Sequence, residues 1–235
     1  HPDHIMAMTN IIKEIAGTPK PQNWDAQTTN EDIAHWMEQQ KVPVISHSAA
    51  YRERWKDFPD GSKYGPMITP ADEWEAAGAR IVVSDEPYQL AEGCWTTGGV
   101  PRESFETAGT PKIFAYRDAE GFHRDFVDDD QAIIANVKGK GLVIISGCAH
   151  SGIINTINHA KAISGVEKVY AIIGGFHLIS STPEEIQKTV DVIKALEPHI
   201  IVPTHCTGFP AIVQFATQMP DEFVLGVVGT TYLFE

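Results

Sequence analysis

The chain has 235 residues, of which 43% are hydrophobic and 21% are charged, so it can bury the core of one ordinary globular domain. Its formal net charge of −13 argues against the basic face that nucleic acids and anionic membranes require. We therefore expect a small-molecule substrate and neither a nucleic-acid nor a membrane partner; a phosphorylated substrate stays compatible, because a bound metal would supply positive charge.

The predicted elements follow from hydrophobic periodicity and from the turn and capping residues that separate the segments. In chain order they are a helix over 5–16, a helix over 30–40, a strand over 42–46, a short helix over 71–77, a strand over 80–84, a hairpin over 112–117 and 122–127, strands over 132–137 and 142–146, a helix over 153–163, a strand over 168–173, a helix over 183–196, a strand over 199–202, a helix over 211–218 and a closing strand pair over 223–225 and 230–234. Prolines and glycines over 53–70 indicate a surface excursion, which we extend to a surface insertion around 53–79.

The first four residues, His1-Pro2-Asp3-His4, combine two imidazoles with a carboxylate. These groups suit zinc, iron or manganese if the backbone turns sharply enough to bring them together. The alternative is a terminal remnant without a function. Distant segments decide between the two, because only further ligands would complete a metal site.

Three buried strands each end shortly before a histidine. His150 follows the strand over 142–146, His177 follows 168–173, and His205 follows 199–202. Loops that leave a rigid scaffold often carry chemistry, so His150 and His205 are candidate ligands. The pattern alone predicts an α/β protein with histidines at strand ends, and it contains neither a G-x-G-x-x-G nor a Walker sequence that would favour a nucleotide-binding fold.

Two further side chains are candidates for substrate binding. His47 ends the strand over 42–46, and Arg102 offers a guanidinium group that suits phosphate or carboxylate. In both cases an ordinary surface residue is the alternative. The acidic run 128–130 lacks the rest of a calcium-loop pattern, so we predict a solvated turn there.

Cysteine usage bears on the compartment. Cys94, Cys148 and Cys206 are an odd, widely spaced set without a CxxC pair, which favours a reducing compartment, and we predict a cytoplasmic location. Cys148 and Cys206 flank candidate ligands, and we expect both to be small buried core residues.

Taken together, these motifs resemble the metallo-β-lactamase superfamily. His-Pro-Asp-His is similar to the last four residues of its His-x-His-x-Asp-His signature. The segments GCAHSGIINTI, IIGGFHL and PTHCTG resemble the branch of dihydropterin–ribofuranosylaminobenzene-phosphate synthase-like proteins, also described as metal-dependent hydrolases. The resemblance implies a four-layer αβ/βα sandwich, with 1–235 as a single domain whose N-terminal strands are missing. The missing N-terminal segment, or a partner chain, is then an expected partner.

The resemblance also implies a ligand set for two divalent metal ions, with zinc favoured and manganese or iron as alternatives. His1 and His150 would bind one ion, and Asp3, His4 and His205 would bind the second. Asp3 would also take part in catalysis.

One position departs from the superfamily pattern. Gly175 stands near the place of a bridging aspartate, and no carboxylate follows it. His177 is the candidate substitute, either as a ligand or as a proton donor to a leaving group. The alternative is a histidine that only orients a ligand.

The function implied by the resemblance is a metal-dependent hydrolase that uses a metal-bound hydroxide on a small phosphoester or a related pterin or ribosyl-phosphate compound. One alternative is a non-catalytic binding module derived from a truncated metallo-β-lactamase fold. Another is a copper brace formed by His1 as a free N-terminus, but enzymes with that device resemble secreted β-sandwiches, whereas this chain is α/β and poor in cysteine.

Overall fold

The computed structural model describes residues 5–17, 24–25, 27–106 and 110–234. Its elements, in chain order, are α1 (Met8–Ala16), α2 (Asn30–Gln39), β1 (Val42–Ser46), β2 (Glu53–Asp57), β3 (Lys63–Met67), α3 (Ala71–Ala76), β4 (Ala79–Val83), β5 (Tyr88–Ala91), β6 (Cys94–Thr96), β7 (Phe114–Asp118), β8 (Gly121–Arg124), β9 (Ala132–Val137), β10 (Gly141–Ser146), α4 (Ile153–Ser164), β11 (Val169–Gly175), α5 (Pro183–Ala195), β12 (Ile200–Thr204) and α6 (Phe209–Gln218). Short 3₁₀ helices follow β1 (Ser48–Tyr51) and β12 (His205–Thr207). Among these residues, no helix is long and apolar enough to span a membrane.

The largest sheet has six strands in the order β12-β11-β10-β9-β6-β5. The strands β10, β11 and β12 run parallel, whereas β9, β6 and β5 add antiparallel pairs at the other side. Helices α4, α5 and α6 contribute to one buried core with this sheet, which includes Ile144, Ile172, Ile201, Phe176 and Phe215. The three parallel strands are therefore held rigidly, and their carboxyl ends share one edge of the sheet.

A smaller core lies near the start of the chain. Ile12 of α1 packs with Trp74 of α3 and Ala79 of β4, and β1 and β4 form a parallel two-stranded sheet. The predicted helix over 5–16 and strand over 80–84 agree with these elements to within three residues. This unit carries His47 at the end of β1.

The segment 53–70, predicted as a surface excursion, contains two strands. β2 and β3 join the β7–β8 hairpin in a four-stranded antiparallel sheet of order β3-β2-β7-β8. Pro66 lies in β3 at the edge of this sheet, where a strand does not need every N–H group. The turn residues in this segment mark the bend of the β2–β3 hairpin, and the surface insertion around 53–79 stays a prediction.

The predicted closing strand pair over 223–225 and 230–234 is wrong. In the part of the chain that the structure describes, this region makes one isolated bridge, between Phe223 and Ile201, and no strand. Several of its apolar side chains remain exposed, including Leu225 and Leu233. The segment instead contacts β12 through the backbone, where the N–H of Val224 donates to the carbonyl oxygen of Ile201 at 2.9 Å.

Candidate metal centre

The parallel strands β10, β11 and β12 deliver five chemically reactive side chains to one edge of the large sheet. Cys148 and His150 follow β10, His177 follows β11, and His205 and Cys206 follow β12. The loops after β10 and β11 are joined by a hydrogen bond of 3.0 Å from the Gly175 N–H to the Gly147 carbonyl. The sheet therefore brings together three candidate histidines that are far apart in sequence.

His150 and His177 form a close imidazole pair. Their ring centroids are 4.0 Å apart and the rings are inclined by 49°. Both side chains are buried, with relative exposures of 3% for His150 and 9% for His177. Nδ1 of His177 is buried without a hydrogen-bond partner among the described residues. Buried polar atoms are normally satisfied, so this nitrogen is suited to a ligand that the protein itself does not supply.

His205 lies beside two thiol groups. Nδ1 of His205 is 3.5 Å from Sγ of Cys148, and Sγ of Cys206 is 3.3 Å from the carbonyl oxygen of Cys148. The ligand atoms of Cys148, His205 and Cys206 all lie within 4.8 Å of one another. Hydrogen bonding by the Cys148 thiol, followed by bonds with His177 and His205, lowers the pKa of Cys206 to about 4, although burial opposes the shift. The sequence analysis missed both cysteines as part of this site, although each stands within two residues of a candidate ligand.

The backbone turns sharply at each of the three loops. Ala149, His177 and His205 have φ angles of 54°, 49° and 49°, in the left-handed region that side chains other than glycine rarely adopt. Such conformations cost on the order of 1–3 kcal/mol each and are concentrated at functional sites. Here they aim the side chains along the edge of the sheet instead of continuing the strand direction.

Arg102 and Asp130 hold the loop that carries His150. Arg102 donates from Nη1 to the carbonyl oxygen of His150 and from Nη2 to that of Phe126, both at 2.5 Å. Asp130 accepts from the N–H of Ser151 at 2.9 Å. Burial raises the pKa of Asp130, although hydrogen bonds from the backbone of Ser151 and His150 oppose this. The structure thus gives Arg102 a positioning role, and its role in substrate binding stays a prediction.

The start of α4, just after His150, is held by Glu106. Its carboxylate accepts hydrogen bonds of 3.1 Å from the N–H groups of Ile154 and Asn155, which the helix itself leaves unpaired. Its negative charge also faces the positive end of the helix dipole. Burial raises the pKa of Glu106, against these hydrogen bonds.

The acidic run 128–130 is not the solvated turn that we predicted. Asp130 is buried, and Asp129 has a side-chain exposure of 13% and pairs with Arg54 of β2. Arg54 also contacts Asp125 at 2.6 Å. The run therefore joins the four-stranded sheet to the loop that carries His150. The three acidic residues alone do not reveal this in the sequence.

His47 lies at the end of β1 and begins a 3₁₀ helix. Its Nδ1 accepts a hydrogen bond of 3.0 Å from the Ala49 N–H and lies 3.3 Å from Asp85. Its Nε2 faces Gly99, where a Cβ atom would approach to 3.3 Å. His47 is thus fixed by local contacts, and its substrate-binding role stays a prediction.

Two cavities lie near the site. A cavity of about 260 Å³ is lined by Cys148 and His150 and by Ile5, Asp129 and Asp130, among others. A larger one of about 580 Å³ has a mostly apolar lining that includes Trp74 and shares Ile5 and Asp129 with the first. Volumes of roughly 300–1,000 Å³ are typical of small-molecule sites.

The remaining predicted ligands, His1, Asp3 and His4, lie outside the described residues.

Comparison with known proteins identifies two sequence relatives, whereas no model of a protein family matches the chain. The chain is 34% identical over 187 residues to 7,8-dihydropterin-6-methyl-4-(β-D-ribofuranosyl)-aminobenzene-5′-phosphate synthase of Methanocaldococcus jannaschii, a match that covers 78% of this chain and 63% of that protein. It is 31% identical to an uncharacterized protein of the same archaeon, over 79% of this chain and 66% of that one. The chain therefore spans less than two thirds of the length of either relative.

A solved structure also superposes on the chain. The crystal structure of Tm1679, a metal-dependent hydrolase of the β-lactamase superfamily, matches with a TM-score of 0.67 and 22% sequence identity. The match covers 81% of this chain and 70% of that one.

Proposed function

This chain has the metallo-β-lactamase fold and is a sequence relative of an archaeal dihydropterin-ribofuranosylaminobenzene-phosphate synthase, and on that premise we propose that it is a metal-dependent hydrolase of a small phosphoester. The resemblance and the α/β fold class predicted from the sequence are confirmed. The observation that carries the proposal is the buried pair of His150 and His177, with His205 on the adjacent strand end.

The residues at this edge fit divalent metal ions. Imidazole nitrogens and sulfur are ligands that zinc prefers, and Nδ1 of His177 is buried without a partner among the described residues. His150 and His205 would hold the ions, and His177 would either join them as a ligand or donate a proton. We propose His1, Asp3 and His4 as further ligands, supported by Ile5, which lines the same cavity as His150. Bound there, divalent cations would polarise a phosphoryl oxygen and activate a water molecule.

The protein's own residues would position and protonate the substrate. His177 is within reach of His150 and is the candidate proton donor to a departing oxygen, a role typically worth 10²–10⁴-fold in rate. The burial of both rings excludes bulk water from this place. Arg102 fixes the backbone of His150 and so keeps the ring in place.

The apolar cavity lined by Trp74 is the candidate site for the organic part of the substrate. It adjoins the cavity at His150 through Ile5 and Asp129, so a phosphate group near the histidines and a ring in the apolar part would fit one molecule. A phosphorylated pterin, or a ribosyl-aminobenzene phosphate, has both a phosphate group and a ring.

A second candidate is a synthase-type condensation of a pterin with a ribosyl-aminobenzene phosphate. The name of the 34% identical relative favours it. A binding module without turnover is the third outcome to be tested.

Steady-state assays of the full chain test these alternatives. The protein is freed of metal by chelation and then assayed with Zn²⁺ or Mn²⁺ on aryl phosphate mono- and diesters, and separately on a dihydropterin with a ribosyl-aminobenzene phosphate. We expect phosphoester hydrolysis that needs metal and is lost in His150→Ala. Turnover only in the second assay would support the synthase, and metal binding without turnover in either assay would support the binding module.

A further inference from the structure

The two cysteines at the candidate metal centre lie beside His205, a candidate metal ligand. Among the described residues, Cys148, His205 and Cys206 are the group of possible ligands whose donor atoms all lie within 4.8 Å of one another. They come from the ends of two strands, β10 and β12, that are separated by β11. Two thiols and an imidazole on different loops meet in space only because the fold brings them together.

The distances between the donor atoms suit a metal site. Zinc–sulfur and zinc–nitrogen bonds of about 2.3 and 2.0–2.1 Å place two tetrahedral ligands about 3.5 Å apart. Sγ of Cys148 and Nδ1 of His205 are already 3.5 Å apart. The remaining distances, up to 4.8 Å, need a side-chain movement of only about 1 Å to reach the same value.

The missing side chain of Gly175 leaves room for both the Gly147 carbonyl group and the Cys206 sulfur. A Cβ atom built on Gly175 would lie 2.7 Å from Sγ of Cys206 and 2.6 Å from the carbonyl oxygen of Gly147. Real Cβ atoms do not approach so closely, so any side chain at 175 would displace the thiol. The absence of a side chain at 175 therefore keeps this sulfur beside His205 and His177.

The three side chains of this group differ in their exposure to solvent. Cys148 is buried, Cys206 is half-buried and His205 is exposed, so the group opens to solvent on the side of His205. A cation can enter from that side, and a position can stay open for water or substrate, as in catalytic zinc sites.

We propose that Cys148, His205 and Cys206 form a thiolate–imidazole site for a zinc-class cation. The inference deepens the proposed function, on which it rests for the role of His205. Thiolate ligands select zinc and similar soft or borderline ions over manganese and magnesium, which prefer oxygen. Each cysteine that still holds its proton releases it to solvent when the metal binds.

Cobalt binding to the full chain tests this without any assay of activity. The metal-free protein is titrated with Co²⁺ under reducing, oxygen-free conditions, and the near-ultraviolet absorption that arises only from charge transfer between thiolate and cobalt is recorded. We expect the band in the wild type and its loss, or a strong reduction, in Cys206→Ser and in Cys148→Ser. We also expect each variant to bind Co²⁺ more weakly by at least about tenfold, since removing a residue that merely supports a ligand already has this effect.

Cys94 supplies the matched control. It lies in β6, which is separated from β10 by β9, so Cys94→Ser should keep the full band. Absence of the band from the wild-type spectrum would be decisive even if a variant fails to fold. Cobalt binding without a charge-transfer band, or a band lost only in Cys94→Ser, would overturn the proposal. Metal-dependent hydrolysis in such a protein would leave the proposed function standing, whereas a chain that binds no Co²⁺ would overturn both.

Discussion

The rings of His150 and His177 lie 4.0 Å apart although 26 residues and a whole helix, α4, separate them in the chain. Parallel pairing of β10 with β11 places the two strand ends side by side, and left-handed φ angles at Ala149 and His177 turn both loops toward the same edge. The proposed metal chemistry depends on this relationship.

Removal of the His150 ring should lower the metal content and abolish hydrolysis. In His150→Ala one buried imidazole is lost from the pair, whereas the Cys148–His205–Cys206 group is left intact. Metal analysis and steady-state assays measure the effect. His35→Ala is the control, because His35 lies on α2 and contacts Gln39, and it should keep both properties.

Substitution of His177 should lower kcat by at least about tenfold. Asparagine is a suitable replacement because it tolerates the left-handed backbone of residue 177, so His177→Asn tests the ring without adding strain. Metal analysis separates the two roles: a lost ligand lowers the bound metal, whereas a lost proton donor leaves the metal bound and alters the pH profile of kcat. Full activity in the variant would show that His177 is only structural.

Arg102 should contribute to stability through the loop of His150. Arg102→Lys keeps the charge but cannot bond both carbonyl oxygens. We expect the free energy of unfolding to fall by about 1 kcal/mol, because this side chain is exposed and solvent weakens its contacts. Urea denaturation measures this. An unchanged midpoint would contradict the positioning role, and a rise in KM would support the predicted contact with substrate.

Acid should weaken the contact between Arg54 and Asp129. Burial alone would raise the pKa of Asp129, but the hydrogen bonds and charge of Arg54 lower it below its ordinary value. The ionised carboxylate therefore stabilises the fold above the ordinary pKa of about 3.9, and this stabilisation is lost as the pH falls through the lower folded-state pKa. The charge pair is thus intact at neutral pH.

The variant Asp129→Asn measures this contribution. We expect it to be less stable than the wild type by less than the about 3–5 kcal/mol of an isolated buried pair, because Asp125 still contacts Arg54. In urea denaturation the difference should be constant above about pH 5 and shrink below pH 4. A difference that does not depend on pH would contradict the assignment.

The sequence predicted the strands and helices between residues 130 and 218 well, because their apolar residues recur at strand or helix spacing and turn or capping residues mark their ends. The strand over 142–146 differs from β10 by one residue, and the helix over 153–163 differs from α4 by one. Local patterns suffice there, because an almost entirely buried strand such as β10 stands out as an apolar run.

The features that the sequence analysis missed depend on contacts between residues far apart in the chain. The burial of Asp129 depends on Arg54, 75 residues earlier, and no local pattern reveals that pair. The place of Cys206 beside Cys148 depends on the order of β10, β11 and β12 and on the missing side chain of Gly175. The sequence predicted the histidines at the strand ends as candidate ligands, whereas the contact between the two cysteines depends on the fold.

Zinc-soaked crystals of the full chain test the central claim most directly, through the anomalous scattering of the metal. We predict a zinc peak at the edge of the large sheet, with the imidazole nitrogens of His150 or His205 at about 2.0–2.1 Å from the ion. A map in which zinc binds elsewhere, or in which no peak lies within bonding distance of His150, His177 or His205, would contradict it.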